Sequence, residues 1–119
     1  KAITARALIK GSTSYERLKR DAEAKQMLEW AVEWYPNDGF AHTNLARFYL
    51  ERGQAELAEK LFKQAIEVSP WIHHPYIGLG ILALQSKQPD LARKFAEYGL
   101  TLNPESPELK AILEKAQDR

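Results

Sequence analysis

FAHTNLARFYLERGQAELAEKLFKQAIEVSP, residues 40–70, is the stretch of sequence that decides the fold. Its apolar residues recur at helical spacing on both sides of a short turn that ends at Gly53. Pro70 stops the second segment, because proline cannot continue a helix. The stretch therefore predicts two amphipathic helices joined in a hairpin.

The same unit recurs along the chain. Pro36, Pro70 and Pro104 each follow a helix-closing run, and they stand 34 residues apart. A fixed period of this size is typical of a repeat array. One hairpin cannot bury its apolar face alone, so we expect neighbouring units to stack and share a core.

Small residues stand where two helix backbones are expected to cross. Ala58 and Ala92 occupy one such position, and Ala46 and Gly80 occupy another. A larger side chain there would push the two helices apart.

The pattern resembles that of the tetratricopeptide repeat (TPR) family, whose 34-residue units carry large, small and aromatic residues at fixed places. The matching residues of the three units are Leu8, Gly11, Ser12, Tyr15, Ala24, Leu28 and Pro36 in the first, His42, Leu45, Ala46, Tyr49, Ala58, Phe62 and Pro70 in the second, and Tyr76, Leu79, Gly80, Ala83, Ala92, Ala96 and Pro104 in the third. The first unit matches well in its second helix and poorly in its first.

The resemblance implies an all-α fold, a right-handed α-α superhelix (TPR solenoid) of three helix pairs and a cap helix. We expect a single TPR domain over residues 1–119. Its repeats are predicted at about 5–38, 39–72 and 73–106, with the cap helix at about 107–117.

The first helix of the first repeat is the least regular. Residues 11–14, Gly-Ser-Thr-Ser, combine a poor helix former with three residues that compete for backbone hydrogen bonds. Two arrangements stay open: a helix that is broken or frayed there, or residues 1–10 as the tail of a preceding repeat followed by a loop.

Composition narrows the class of protein. With 119 residues, of which 45% are hydrophobic and 28% charged, the chain has the composition of one soluble globular domain. Its net charge of +1 gives no electrostatic drive toward nucleic acid or an anionic membrane. No apolar run approaches the roughly 20 residues of a membrane-spanning helix, so we expect no membrane insertion.

The chain contains no cysteine, which excludes disulfides, thiolate metal sites and cysteine nucleophiles. Cytoplasm and periplasm both fit, with the cytoplasm slightly favoured. Because the chain begins with Lys rather than Met and shows no signal-like segment, we expect a processed chain or an excised domain.

No constellation of residues predicts catalysis. A nucleophile with a base, paired carboxylates in a pocket and a metal cluster are all missing from the sequence pattern. His73 and His74 are adjacent, so their side chains are expected to diverge on a helix and to hold no metal together. The sequence predicts a protein that is not an enzyme and binds neither cofactor nor metal.

Trp30 and Trp34 stand four residues apart and predict an aromatic ridge on one helix. We favour packing or a shielded surface for this ridge over a ligand site.

The resemblance also implies a binding surface, because the first helix of each TPR unit lines a concave groove that holds a peptide or a partner helix. The predicted groove residues are Phe40, Thr43, Asn44 and Arg47 with Leu50 and Glu51 in the second unit, His74, Ile77, Ile81 and Leu84 with Gly78 and Gln85 in the third, and Arg6, Ile9, Lys10, Thr13 and Arg17 in the first.

One branch of the family grips the acidic C-terminal tails of cytosolic chaperones with two Lys, two Asn and an Arg. Only Asn44 matches that set. The slots for Lys and Asn in the first unit hold Ile9 and Thr13, and the slots for Lys and Arg in the third hold His74 and Gly78. A carboxylate clamp without its cations cannot offset the desolvation of an anionic tail, so we reject this ligand.

Two functions are therefore open. The first is a non-catalytic interaction module that binds a protein or peptide partner in the groove. The second is a structural or self-associating segment of a larger protein, which packs against itself as a homo-oligomer or against an adjacent catalytic domain.

For the interaction module, we expect an amphipathic ligand. Its apolar side chains would lie on Ile77, Ile81 and Leu84, Asn44 would bond its backbone, and Arg47 would meet a carboxylate. The competing possibility is that the cap helix or a neighbouring chain covers the apolar strip.

Overall fold

The computed structural model describes residues 3–117. Within this range the chain is entirely helical and contains no strand. The helices are α1 (Ala5–Arg17), α2 (Asp21–Trp34), α3 (Gly39–Glu51), α4 (Ala55–Val68), α5 (His74–Gln85), α6 (Pro89–Leu102) and α7 (Pro107–Gln117).

The helices form three antiparallel pairs, α1 with α2, α3 with α4 and α5 with α6, and α7 packs on the last pair. Helices α2, α4 and α6 begin at residues 21, 55 and 89, which repeats the 34-residue period of the prolines. The all-α superhelix of three helix pairs and a cap helix is thus confirmed. The single domain spanning residues 1–119 stays a prediction.

Helix α1 is continuous through residues 11–14, so both arrangements that interrupt it there are wrong. The hydroxyls stay within the helix instead of opening it: Ser12 Oγ donates to the Ile9 carbonyl at 2.7 Å, and Ser14 Oγ donates to the Lys10 carbonyl at 3.4 Å. Bonds of this kind to carbonyls three or four residues earlier are compatible with a helix.

Gly11 has a packing reason to be small. A Cβ atom added there would lie 2.6 Å from Sδ of Met27 on α2. Glycine lets the two helices of the first repeat approach closely, which is the role that the sequence analysis assigns to small residues at a crossing.

Alanines at the helix crossings are completely buried, as predicted. Ala24, Ala58 and Ala92 hold the same place in α2, α4 and α6, and each has 0% of its surface exposed. Beside them, Leu28 and Phe62 fill the space between repeats with exposures of 0% and 2%. Leu28, Phe62 and Leu79 belong to one buried cluster, so apolar residues of all three pairs share a core.

The turns inside the three pairs also share one conformation. Lys19, Gly53 and Lys87 lie 34 residues apart and all have positive φ, at 61°, 78° and 59°. After each of them, the next amide closes a long bond to the end of the preceding helix, as Gln54 N does to Tyr49 O at 2.9 Å. This is a Schellman ending, in which the left-handed residue is usually glycine.

Helix starts follow the sequence signals. Asp38 caps α3 by accepting a bond from Phe40 N at 2.9 Å, and Ser106 caps α7 by accepting one from Leu109 N at 3.2 Å. Pro75 lies in the first turn of α5, where its missing N–H costs nothing. Each of these three residues thus stands at a helix start that its residue type favours.

Helix α7 closes the array. It buries Leu109, Ile112 and Ala116 against the third pair, with exposures of 0%, 4% and 1%. Leu113 is partly buried against the same cluster, and the other side chains of α7 are exposed, which suits the last helix of a stack. No helix within residues 3–117 combines the length and apolar character that crossing a membrane requires.

The shared turn conformation predicts opposite effects of two substitutions. Lys87→Gly should stabilise the protein by roughly 0.5–1 kcal/mol, because a residue with a side chain is strained at positive φ. Gly53→Ala should destabilise it by about 1 kcal/mol for the same reason. Denaturant unfolding of both variants measures this. Equal midpoints for the two variants would contradict the conformation assigned to these turns.

Two helical glycines should respond differently to alanine. At Gly78, a Cβ would lie 2.1 Å from Cζ of the buried Phe62 ring, so Gly78→Ala should cost about 1–3 kcal/mol through overpacking. Gly11→Ala meets only the flexible end of Met27, and the gain in helix propensity should leave stability within about 1 kcal/mol of the parent. Thermal unfolding of the pair checks this, and a Gly78→Ala variant as stable as the parent would be the contrary result.

Candidate functional site

Helices α3, α5 and α7 lie side by side and enclose a cavity of about 570 Å³. Its walls are lined by Phe40, Thr43, Asn44, Arg47, Leu50, Glu51, Phe62, His74, Ile77, Gly78, Ile81, Gln85 and Glu108. All but one of the residues predicted to line the groove in the second and third units line this cavity. That they bind a partner stays a prediction.

The one other residue predicted to line the groove in these units, Leu84, lines a neighbouring cavity of about 480 Å³ between α5 and α7. Ile77, Ile81, Gln85 and Glu108 line both cavities. The two spaces are therefore parts of one groove, with the apolar strip of α5 along its floor. None of the first-unit candidates lines either cavity.

The larger cavity includes two residues that were not predicted from the sequence, Phe62 and Glu108, and the smaller one adds Ala111, Ile112 and Lys115 of α7. Phe62 belongs to the second helix of its pair, and its ring reaches the groove through the gap left by Gly78. Glu108 could have been found by continuing the period into the cap helix. It stands 34 residues after His74, as His74 does after Phe40.

Arg47 is already held by carboxylates of its own chain. Its Nη1 lies 3.1 Å from Glu51 Oε2, and its Nη2 lies 3.8 Å from Glu16 Oε1. Arg52 shares the same acids and also binds Asp21 at 3.1 Å. These contacts are partly exposed, so each pair adds little to stability, but together they neutralise the Arg47 guanidinium.

Asn44 keeps part of its hydrogen-bonding capacity. Its Nδ2 donates to the Phe40 carbonyl at 2.8 Å, and its Oδ1 accepts a long bond of 3.4 Å from Arg47. An amide group can make further bonds through its second N–H and second lone pair. Asn44 can therefore meet a ligand backbone without losing its own contacts.

The family model described as Tetratricopeptide repeat matches residues 19–71. This segment makes up 53 of the 119 residues, and the 34-residue helix period continues on both sides of it. Residues 19–71 carry tetratricopeptide repeat sequence, and the helix pairs before and after them repeat the same fold. No curated protein sequence matches the chain at a significant level.

Solved structures share the TPR fold over nearly the whole chain. The first TPR of Spaghetti (RPAP3), bound to the HSP90 peptide SRMEEVD, has a TM-score of 0.87 at 21% identity and covers 97% of this chain and 94% of its own. The Arabidopsis OM64 TPR domain has a TM-score of 0.86 at 15% identity, with coverage of 97% and 95%. The second TPR domain of human RPAP3, in complex with the HSP70 peptide SGPTIEEVD, has a TM-score of 0.83 at 18% identity, with coverage of 97% and 96%.

The two adjacent histidines of this TPR domain do not diverge, so that prediction is wrong. Their ring centroids are 4.0 Å apart, because His73 precedes the helix as its N-cap residue and only His74 belongs to α5. His74 also meets the Phe40 ring edge-on at 5.1 Å. His73 has a polar partner as well, since its Nε2 lies 3.2 Å from Nδ2 of Asn103.

The environment of His74 lowers its pKa from the usual 6.5. Desolvation of the ring against its neighbours is the main cause, and the nearby His73 adds to it, while Glu108 acts in the opposite direction. His74 is therefore neutral at physiological pH and adds no cation to the groove.

Trp30 and Trp34 form the predicted ridge. Their rings stack with centroids 5.6 Å apart on α2, and 37% and 42% of their surfaces are exposed. They lie outside both parts of the groove. Among residues 3–117, no three His, Cys, Asp or Glu side chains are grouped in a way that could hold a metal ion.

The lowered pKa of His74 predicts how stability depends on pH. The pKa of His74 is lower in the folded protein than in the unfolded chain, so below about pH 6.5 the unfolded chain binds a proton more readily. The free energy of unfolding should therefore fall as the pH drops below about 6.5. The variant His74→Gln should lose less stability than the parent over this window. Denaturant unfolding at pH values of about 7.5 and 5 tests it. Parallel losses in the two proteins would contradict the assignment.

Proposed function

We propose that this TPR domain is a non-catalytic protein-interaction module that binds a peptide or a short helix in the groove between α3, α5 and α7. The apolar strip on α5 carries the proposal. Ile77 and Ile81 are partly buried against the cluster that includes Leu109 and Ile112 of α7, yet both line the two parts of the groove, so α7 leaves part of the strip open. An open apolar floor with a polar rim is what a peptide-binding groove requires.

The size of the groove supports this function. Its two parts, about 570 and 480 Å³, each lie in the range of roughly 300–1,000 Å³ that is typical of ligand sites. Together the two parts form a groove whose lining runs from Phe40 on α3 to Leu84 near the end of α5. A single ligand side chain would fill only part of a groove of this length. A segment with several anchoring side chains fits this shape better than a small molecule.

Similar folds bind peptides. The first and second TPR domains of RPAP3 are described as bound to peptides of HSP90 and HSP70. At 21% and 18% identity these likenesses carry the fold alone, so they support a peptide-sized ligand without naming it.

The polar groups of the groove favour binding over chemistry. Arg47 is engaged with carboxylates of its own chain, and the Thr43 hydroxyl donates to the Gly39 carbonyl at 2.7 Å. Catalysis would need a nucleophile within reach of a base. We therefore propose that the domain itself is not an enzyme.

The expected contact between Arg47 and a carboxylate of the ligand loses support. Arg47 was expected to meet a carboxylate of the ligand, but Glu51 and Glu16 already occupy its guanidinium. A ligand carboxylate would have to displace one of them. The apolar contacts and the free capacity of Asn44 remain the basis of binding.

The groove predicts that a charge on its floor abolishes binding. A peptide library panned on the parent domain alone should yield ligands that bind the Ile81→Asp variant at least about tenfold more weakly, because burying one Ile contributes roughly 1.5–3 kcal/mol. Asn44→Ala should weaken the same ligands by about 1 kcal/mol. Isothermal titration measures both effects.

Leu57→Asp is the matched control, since Leu57 is 44% exposed on α4 and lies outside the groove. It should bind like the parent. Ile81→Ala guards against misfolding of the Asp variant and should weaken binding in the same direction. Ligands that bind Ile81→Asp unchanged would refute the groove as the site. Concentration-dependent light scattering of the parent would instead favour the self-associating segment.

A further inference from the structure

The charged side chains of the groove carry information about its ligand. On the α3 side, the positive charge of Arg47 is neutralised by Glu51 and Glu16. The neighbouring Arg52 is likewise held by Glu16 and Asp21, at 3.4 and 3.1 Å. This cluster contains more acids than bases, so it offers no free cation to an acidic peptide.

The α5 side offers none either. Position 78 has no room for a side chain, because a Cβ there would lie within 2.5 Å of three atoms of the Phe62 ring. His74, at the mouth of the groove, is neutral at physiological pH for the reasons given above. A carboxylate placed between α3 and α5 would therefore be desolvated without a charged partner, which is unfavourable.

On the α7 side, Glu108 faces the groove with its charge uncompensated. Within residues 3–117 it forms no ion pair, and its Oε1 only accepts a bond from Ser106 Oγ at 3.3 Å. Lys115 lies two turns further along the same helix, about 10 Å away, and lines the end of the groove beside Leu84. The α7 wall of the groove therefore carries a negative charge at one end and a positive charge at the other.

We propose that the groove selects an amphipathic helix whose apolar stripe covers Ile77, Ile81 and Leu84 and whose Lys or Arg side chain meets Glu108, and that it rejects acidic C-terminal tails. The inference rests on the proposed function, since it names the ligand class of the same groove. The spacing of the strip along α5 matches the i, i+4, i+7 spacing of a ligand helix. The opposite charges of Glu108 and Lys115 set the direction in which that helix lies.

Attraction by the whole protein cannot account for such a preference. The chain carries a net charge of +1, so long-range forces slightly repel a basic peptide. A basic ligand that binds more tightly than an acidic one must do so through local contacts. Tighter binding of the basic ligand than of the acidic one would therefore report contacts in the groove.

The test compares two model helices with the same apolar stripe, acetyl-LKKLLKLLKKLLKL-amide and acetyl-LEELLELLEELLEL-amide, and the acidic peptide SRMEEVD that the RPAP3 domain binds. Titration into the whole 119-residue chain at neutral pH and low salt measures the affinities. The lysine helix should bind at least about fivefold more tightly than the glutamate helix, and SRMEEVD should not bind measurably. Added salt should reduce the preference.

Variants on α7 locate the charge contact. Glu108→Gln should weaken the lysine helix by about two- to fivefold and leave the glutamate helix unchanged or tighter. Lys115→Gln should act in the opposite direction on both. Glu105→Gln is the matched control, because Glu105 is exposed, lies 3.7 Å from Lys110 and faces away from the groove. Circular dichroism verifies that each variant is folded.

The outcomes separate the two proposals. If the lysine helix fails to bind, if the glutamate helix or SRMEEVD binds as tightly, or if Glu108→Gln changes nothing, this inference is overturned. Binding of an acidic peptide that Ile81→Asp abolishes would overturn it while the proposed function stands. Peptide binding that Ile81→Asp leaves intact would refute the proposed function as well.

Discussion

The contact between Phe62 and Gly78 connects the fold of this TPR domain to its groove. The Phe62 ring fills the space between the second and third helix pairs, and it can lie there only because Gly78 has no side chain. In this way one aromatic residue packs the core and also forms part of the groove floor. A side chain at position 78 would be in conflict with both, since cores are packed too densely to absorb an extra group without strain.

The same geometry limits what the groove can recognise. With position 78 closed to any side chain and Arg47 engaged by two glutamates, the walls formed by α3 and α5 present apolar surface and neutral polar groups. Among residues 3–117, the charged groove residues that form no ion pair lie on α7, at Glu108 and Lys115. In this protein the groove floor is therefore set by repeat packing, whereas we propose that the cap helix selects the charge of the ligand. On this proposal the cap both ends the stack and contributes to specificity.

The likeness to peptide-binding TPR domains concerns the backbone, not the side chains that line the groove. The matched structures share backbone geometry over nearly the whole chain at 15–21% identity. Shared geometry places helices in the same positions, but the ligand is chosen by the side chains on them. Here the residues at the groove positions differ in charge from what an acidic tail needs, so a common groove shape is compatible with a different ligand class.

The sequence by itself determined the 34-residue period, the helix pairs, the caps at Asp38 and Ser106, and the groove positions from Phe40 to Leu84, because all of these depend on local patterns that repeat. Tertiary structure alone decided that α1 runs unbroken through residues 11–14, since its close packing on α2 outweighs weak local propensity. It also decided the pairing of Arg47 with Glu16 from another repeat, the close approach of the His73 and His74 rings, and the position of Glu108 at the groove, where it forms no ion pair within residues 3–117. These depend on side chains that meet only after the repeats have stacked, and no spacing along the chain encodes such contacts.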